Sequence, residues 1–539
     1  MKSRLRKILV AFLALVLGGL GFGAWKLYYQ PKWELEAYKR QLIAAGEKLT
    51  IAEMTPLPLP AEVNGTRDLR KAMGLMNRGP SLLDTNPPAI LRMVAPGKAM
   101  VGWQQPMLRD SLRITTTNSW AEAEQAIADC SEDLDALQFL TERSSFDFAL
   151  EYSQNYSLLL PHLAPTKQAA LRLAHAAMCD LHRGDAASAV KRLRALLAVA
   201  NGLRDERLVV SQIVRASIVA IGVGASWELL QSPNLTDEQL ATMQRDWSKL
   251  ELVPYLENAL GMERAMMEMS VKQMRGSSAG FVKIASDFGV EGFGSQPNSS
   301  NLWVDVGRSA KGVIGSTIWK SRETAWRVAW SYPDQLRQLK GNQILLECAR
   351  LVRTNGSFDA ALRRQDEELQ KLGIRRAKDL DEISIQSDNL RTMLSDSISR
   401  LPAALKRILN VEISRQLVIT AIALKRYHLR HGEYPASLNN LMPEFVAAIP
   451  RDPVDGQPLR YRRDSESSFL LYSINTDGKD DSGDPRPEGD RFSMNPLRGR
   501  DWVWPQPASA KEIEDVDAGV TERLKKEGAR YAPRPPLNQ

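Results

Sequence analysis

An uncharged apolar run, Ile8 to Trp25, set behind a basic start, constrains this chain more than any other feature. As a helix its 18 residues would span roughly 27 Å, close to the hydrocarbon thickness of a bilayer. Lys2, Arg4, Arg6 and Lys7 precede it. The positive-inside rule then predicts a cytoplasmic segment 1–7, a transmembrane anchor 8–28 with Trp25, Tyr28 and Tyr29 at the far interface, and export of the remainder. Gly21 and Gly23 would also suit a cleaved signal peptide, but no A-x-A pattern follows them, which favours a retained anchor. No later stretch of membrane length is free of charges, so a single-pass protein is expected.

The exported part is long enough for several domains or one long helical array. With 43% hydrophobic and 25% charged residues it has the balance of a globular protein, not of a fibrous or disordered one. The net charge of +7 is spread thinly, and four of the positive charges lie in the first seven residues, so nucleic acid is not an implied partner. Cys130, Cys179 and Cys348 are too few for a disulfide scaffold and lack paired metal spacing, although one bridge stays open in an oxidising compartment.

Residues 29–60 read as a stalk and linker, helical to Lys48 and then broken by Pro56, Pro58 and Pro60. A helical domain is expected over 61–401. Apolar positions at i, i+3 and i+4 recur through Ala121–Leu140, Thr166–His182, Ala186–Ala200, Leu208–Leu230 and Asp237–Leu250. Thr236 with Gln239 forms a capping box. Gly184-Asp185, with Ala189 and Leu193, suits the turn of a tetratricopeptide-like helical hairpin, but no sustained repeat is present. Gly276–Gly315 reads as a Gly/Ser-rich insertion, with helix resuming over Ser321–Leu351 and Phe358–Leu401.

Few residues in this region suggest chemistry. Gly276-x-Ser278-x-Gly280 has the letters of a nucleophile elbow, yet a helix, not a strand, precedes it. His428 and His431 share a helix face without a third metal ligand. Gly307–Gly312 lacks the G-K-[ST] of a phosphate loop. The Met262, Met266, Met267, Met269 and Met274 cluster reads as packing, and Phe146, Phe148, Tyr152 and Tyr156 read as core more readily than as an aromatic binding face. No catalytic residue is assigned.

After residue 401 the pattern changes. Apolar Ile413, Leu417, Ala421, Leu424 and Tyr427 make one stripe of a helix that ends at His431-Gly432. Turns follow at Pro450, Pro453 and Asp455-Gly456, and then short strands, Leu459–Arg463 and Ser468–Ser473. The residues Tyr427, Gly432-x-Tyr434-Pro435, Leu438, Leu441, Ile449-Pro450-x-Asp452-Pro453, Gly456, Leu459-x-Tyr461, Ser473 and Asp477-Gly478 stand in the order found in the globular domain of the major pseudopilin of type II secretion systems. Residues 405–505 resemble that α+β domain, and 506–539 would be a polar tail. The layout as a whole resembles membrane-anchored proteins of planctomycete-like and verrucomicrobial bacteria.

The resemblance implies a calcium ion in the loop after the last strand. The loop 477–484 is acidic, with Glu488 and Asp490 beyond it, and clustered carboxylates on a flexible loop are what calcium needs. Asp477, Asp481, Asp484 and Asp490 are the expected ligands; a solvated acidic loop balanced by Lys479, Arg486 and Arg491 is the alternative. Asn475 replaces the family's usual glycine, which Asn suits because it tolerates the left-handed region. A pseudopilin's apolar helix runs directly into its globular domain, whereas here almost 400 residues intervene, so a filament subunit is not expected. The expectation is a mainly α protein of the bacterial inner membrane: a large helical exported domain plus a small α+β domain. It would bind protein partners in the envelope as an accessory of a secretion or envelope complex. The alternative is an envelope hydrolase with an unrecognised active site.

Overall fold

The computed structural model describes residues 12–13, 15–19, 21–23, 25–76, 88–106, 119–143, 145–287, 320–374, 390–475, 477–487 and 499–518. Helix accounts for 66% and strand for 7%, so the chain is mainly α, with a few small sheets.

Helix α1 (Gln30–Ala44) leads to α2 (Thr66–Met76) through a single turn at Ile51–Met54 capped by Thr50 and Glu53. Helices α3 (Trp120–Ala128) and α4 (Ser131–Gln138) split the expected 121–140 helix at Cys130. The next stretches match their apolar period closely: α5 (Leu163–His182), α6 (Ala186–Gly202), α7 (Val209–Leu230) and α8 (Asp237–Ser248). The Thr236–Gln239 capping box is present. At the α5–α6 turn Gly184 has φ +81° and Asp185 accepts the Ser188 N–H, which makes the expected helical hairpin. Gly202 is needed where α6 ends, because a Cβ there would lie 2.1 Å from the Phe146 ring.

Helix α7 is the one described helix long and apolar enough to cross a membrane, but 67% of its apolar window is buried in protein. It packs against α5, α6 and the last long helix, so its apolarity on all sides is that of a core helix. The buried Glu228 on α7 accepts the N–H groups of Leu91 and Gly102 at 3.0 Å each, clamping segment 88–106 to the core. Burial pushes its carboxyl up to about 8.

Helices α9 (Val253–Gly276) and α10 (Ser278–Asp287) follow, then α11 (Ser331–Asn355), α12 (Asp359–Lys371) and α13 (Leu401–His431). Part of the expected insertion is thus helical: α10 buries Phe281 against Trp326, with ring centroids 5.1 Å apart. Gly276–Gly280 joins two helices, which removes the nucleophile-elbow context, and Ser277 Oγ accepts the Gly280 N–H. Residues 288–315 lie outside the described residues.

Strands β1 (Arg92–Ala95) and β2 (Lys98–Met100) form a hairpin, and β3 (Arg460–Ser465) and β4 (Ser468–Ser473) form another, with Tyr461 opposite Leu471. β5 (Trp502–Val503) extends the second sheet beside β4. β6 (Gln506–Pro507) joins the first sheet parallel to β2.

Three expected divisions differ from the observed packing. The stalk is no free spacer: α1 lies on α11, with Leu35 at 0% exposure and Leu42 buried. Among the described residues no break in the core separates 61–401 from 405–505, because α13 runs along α7 and α8 and its apolar side chains belong to the same buried cluster. The tail is structured to residue 518, where Ile513 packs with Ala89, Val94 and Met100.

Candidate functional site

The acidic loop leaves β4 through Asn475, which takes φ +57° as expected of Asn there, and turns again at Gly478, Ser482 and Gly483. Asp484 is held by Arg486 in a two-pronged pair, at 2.8 Å on each nearest contact, with Arg500 at 3.4 Å. The Arg486 bonds hold its carboxyl below the usual range. Asp480 accepts the Tyr472 hydroxyl and lies 3.5 Å from Arg460. Asp477 caps its own turn by accepting the Lys479 N–H. Beneath the loop, Asp501 is 1% exposed and accepts the Gly483 and Asp484 N–H groups. Burial pushes it up to about 6.

No group of three His, Cys, Asp or Glu side chains is gathered for a metal among the described residues. Asp477, Asp481 and Asp484 are therefore not drawn into one shell, and Asp490 lies outside the described residues. Two arginines already neutralise Asp484, and a calcium ion would have to displace them. Among the described residues these carboxylates are not preassembled around one point. The melting temperature of the full chain in millimolar calcium is accordingly expected to equal that in chelator; a reproducible rise would show that the loop rearranges around the ion.

A cleft of about 530 Å³ lies between α2, the loop 148–161 and the start of α5. The loop is tied down from both sides. Asp147 donates its N–H to Thr66 Oγ1 at 2.8 Å, and its side chain accepts the Ala149 N–H, setting Ala149 at φ +54°. Asn155, at φ +58°, reaches Ser270 on α9, and the Tyr152 hydroxyl accepts the Arg207 N–H. Non-glycine residues held at positive φ cost of order 1–3 kcal/mol each and cluster at ligand clamps.

His162 lines this cleft, stacked on Phe148 with ring centroids 3.9 Å apart. Behind it Glu206, 4% exposed, meets His162 Nε2 at 2.7 Å, and Glu206 Oε2 has no hydrogen-bond partner among the described residues. The Arg70 guanidinium stands 5.6 Å over Phe148, exposed at the mouth, and pairs with no carboxylate among the described residues. The polar groups of its lining are Arg70, Glu151, Gln154 and His162, and the rest is mainly apolar. A second cavity, about 280 Å³ beside α9 and α13, has Arg415 already spent on Glu412 and the Trp247 carbonyl.

Compared with family models, curated proteins and solved structures, the chain matches none. Arg70, His162 and Glu206 carry no signal in the sequence, because they lie far apart in the chain and share no period. The Phe146–Tyr156 aromatics were the only signal near the cleft. Phe146 and Tyr152 are core, as expected, whereas Phe148 also forms the cleft wall.

Proposed function

We infer that this is a single-pass protein of the bacterial inner membrane, anchored at its amino end, whose exported body binds protein partners as an accessory of a secretion or envelope complex. The observation that carries this reading is the uncovered apolar helix at the start. Phe12, Leu15 and Phe22 are 65%, 76% and 69% exposed, which water would not favour and lipid would. The helix enters the body through aromatic contacts suited to the bilayer interface: Tyr28 meets Tyr332 edge-on at 5.4 Å, and Lys32 lies over Tyr28.

The pseudopilin-like reading of the carboxy-terminal region rests on its motif residues, several of which have structural work. Gly432 ends α13 at φ +80°, and Tyr434 packs on Phe469 at 4.7 Å. Buried Asp452 accepts from Val454 N–H, Ser473 Oγ and Ile474 N–H, tying the I-P-x-D-P turn to β4. The Tyr461 hydroxyl donates to the Pro435 carbonyl at 2.7 Å. The second reading, an envelope hydrolase, has the His162–Glu206 pair in its favour and lacks a nucleophilic side chain beside it.

Fractionation tests the anchor. The protein is expected in the membrane pellet, released by detergent but not by salt or alkali, with amino-terminal sequencing starting at or near Met1. A soluble chain starting after Gly23 would overturn the anchored reading.

A further inference from the structure

The cleft beside α2 and α5 offers three chemically different surfaces to one ligand. Its floor and wall are apolar, from Met73, Phe148 and Pro161. Its mouth carries Arg70, a cation lying over an aromatic face with no carboxylate partner among the described residues. Arg70 donates only a long bond, 3.5 Å, to the Phe148 carbonyl, so its fork is open to a bidentate acceptor. Along the side stand His162 and the Gln154 carbonyl, both able to hydrogen-bond an amide; Glu151, the one carboxylate in the lining, is already engaged by Gln154 Nε2 at 3.0 Å and Ser153 Oγ at 3.1 Å.

The Glu206 carboxylate behind His162 settles which ring nitrogen is available. A carboxylate at 2.7 Å from Nε2 favours the tautomer protonated there, which leaves Nδ1 as an acceptor. Stacking on Phe148 fixes the ring plane, so that acceptor is held in place before any ligand arrives. The strained loop at Ala149 and Asn155 is pinned by side-chain bonds from Asp147 and to Ser270, which keeps the cleft open at no cost to the ligand.

We propose that this cleft binds a short acidic–aliphatic peptide segment: an aliphatic side chain on Met73, Phe148 and Pro161, an adjacent carboxylate on Arg70, and a backbone amide on His162 Nδ1. The inference rests on the reading of the exported body as a protein-binding one and names what it would recognise. A peptide suits the polar side better than a fatty acid does, since an acyl chain has no use for His162 or Gln154. The cavity volume is within the range of small-ligand sites and holds a few residues.

The test uses the detergent-solubilised full chain and a fluorophore-labelled peptide, acetyl-Leu-Asp-Leu-amide, followed by anisotropy. Saturable binding is expected. The acetyl-Leu-Asn-Leu-amide peptide should bind about tenfold more weakly, and Arg70→Gln should weaken the Asp peptide by the same factor while leaving the Asn peptide unchanged. His162→Phe, which keeps the stack but removes the acceptor, should also weaken both peptides. Unchanged melting temperatures for the variants would separate lost recognition from lost folding. No saturable binding at millimolar peptide, or equal affinity for the Asp and Asn peptides, would overturn the proposal. So would competition by decanoate alone, which would mark the cleft as an acyl site. A soluble, unanchored protein that still binds the Asp peptide would defeat the anchored reading and leave this site standing.

Discussion

Glu47→Ala is expected to destabilise the folded body by about 3–5 kcal/mol, because it leaves a buried guanidinium without its counter-ion. Arg264, 1% exposed, donates to Glu47 at 2.8 Å and to the Lys48 carbonyl at 2.9 Å. Arg350 meets the same carboxylate with two nitrogens and continues to Glu257 at 2.6 Å, while Gln343 donates to it at 3.0 Å. Burial alone would raise the Glu47 carboxyl, but the bonds from Arg350, Arg264 and Gln343 outweigh it and hold it down to about 2. A depressed folded value means the contribution is complete above the ordinary glutamate range. It fades as pH falls from about 4.5 toward 2 and amounts to about 3 kcal/mol by linkage. Thermal melts of wild type and Glu47→Ala should therefore differ at pH 7 and converge only as the pH approaches about 2. A difference under 1 kcal/mol at pH 7 would mean that water replaces the carboxylate and that α1 is only loosely docked.

The second large effect is on an excised carboxy-terminal region. A fragment of residues 405–505 is expected to be unfolded by itself. Helix α13 buries Leu405, Ile408, Leu409, Ile413, Leu417, Val418, Ile422 and Leu424, and its long partners α7 and α8 lie outside the fragment. Exposing side chains of this size forfeits roughly 1.5–3 kcal/mol each, on the order of 10 kcal/mol together, about the whole stability of a typical domain. Circular dichroism should show little helix and no cooperative transition. A sharp melt from the isolated fragment would refute this and restore an independent domain.

The reason this integration was hard to read lies in particular residues. Pro402 stands at the expected 401–405 boundary yet occupies the first turn of α13, where a proline starts a helix as readily as it ends a domain. Helix α1 docks through Leu35 and Leu42, a seam too narrow among charged neighbours to betray a buried face. Where structure is local, the residues were informative. The Thr236–Gln239 cap, the α5–α6 turn, the 460–473 hairpin and the left-handed Asn475 all depend on neighbours a few positions away. The cleft depends on Arg70, His162 and Glu206, and β1, β2 and β6 depend on partners at opposite ends of the chain, for which no periodicity exists to be read.

The pairing of those opposite ends bears on how the protein is made. The Gln506 and Ala508 N–H groups donate to the carbonyls of Gly97 and Ala99, Trp227 Nε1 donates to the Pro505 carbonyl, and Lys98 pairs with Glu512. A chain emerging amino end first thus holds an unfinished sheet edge at β2, and an open seat for Ile513, until nearly all of it has been delivered. Early helices can form as they appear, but closure waits for the last described segment. The exposed β2 edge then needs shelter during biogenesis, and the final strand serves as the latch that ends its vulnerability to wrong pairing.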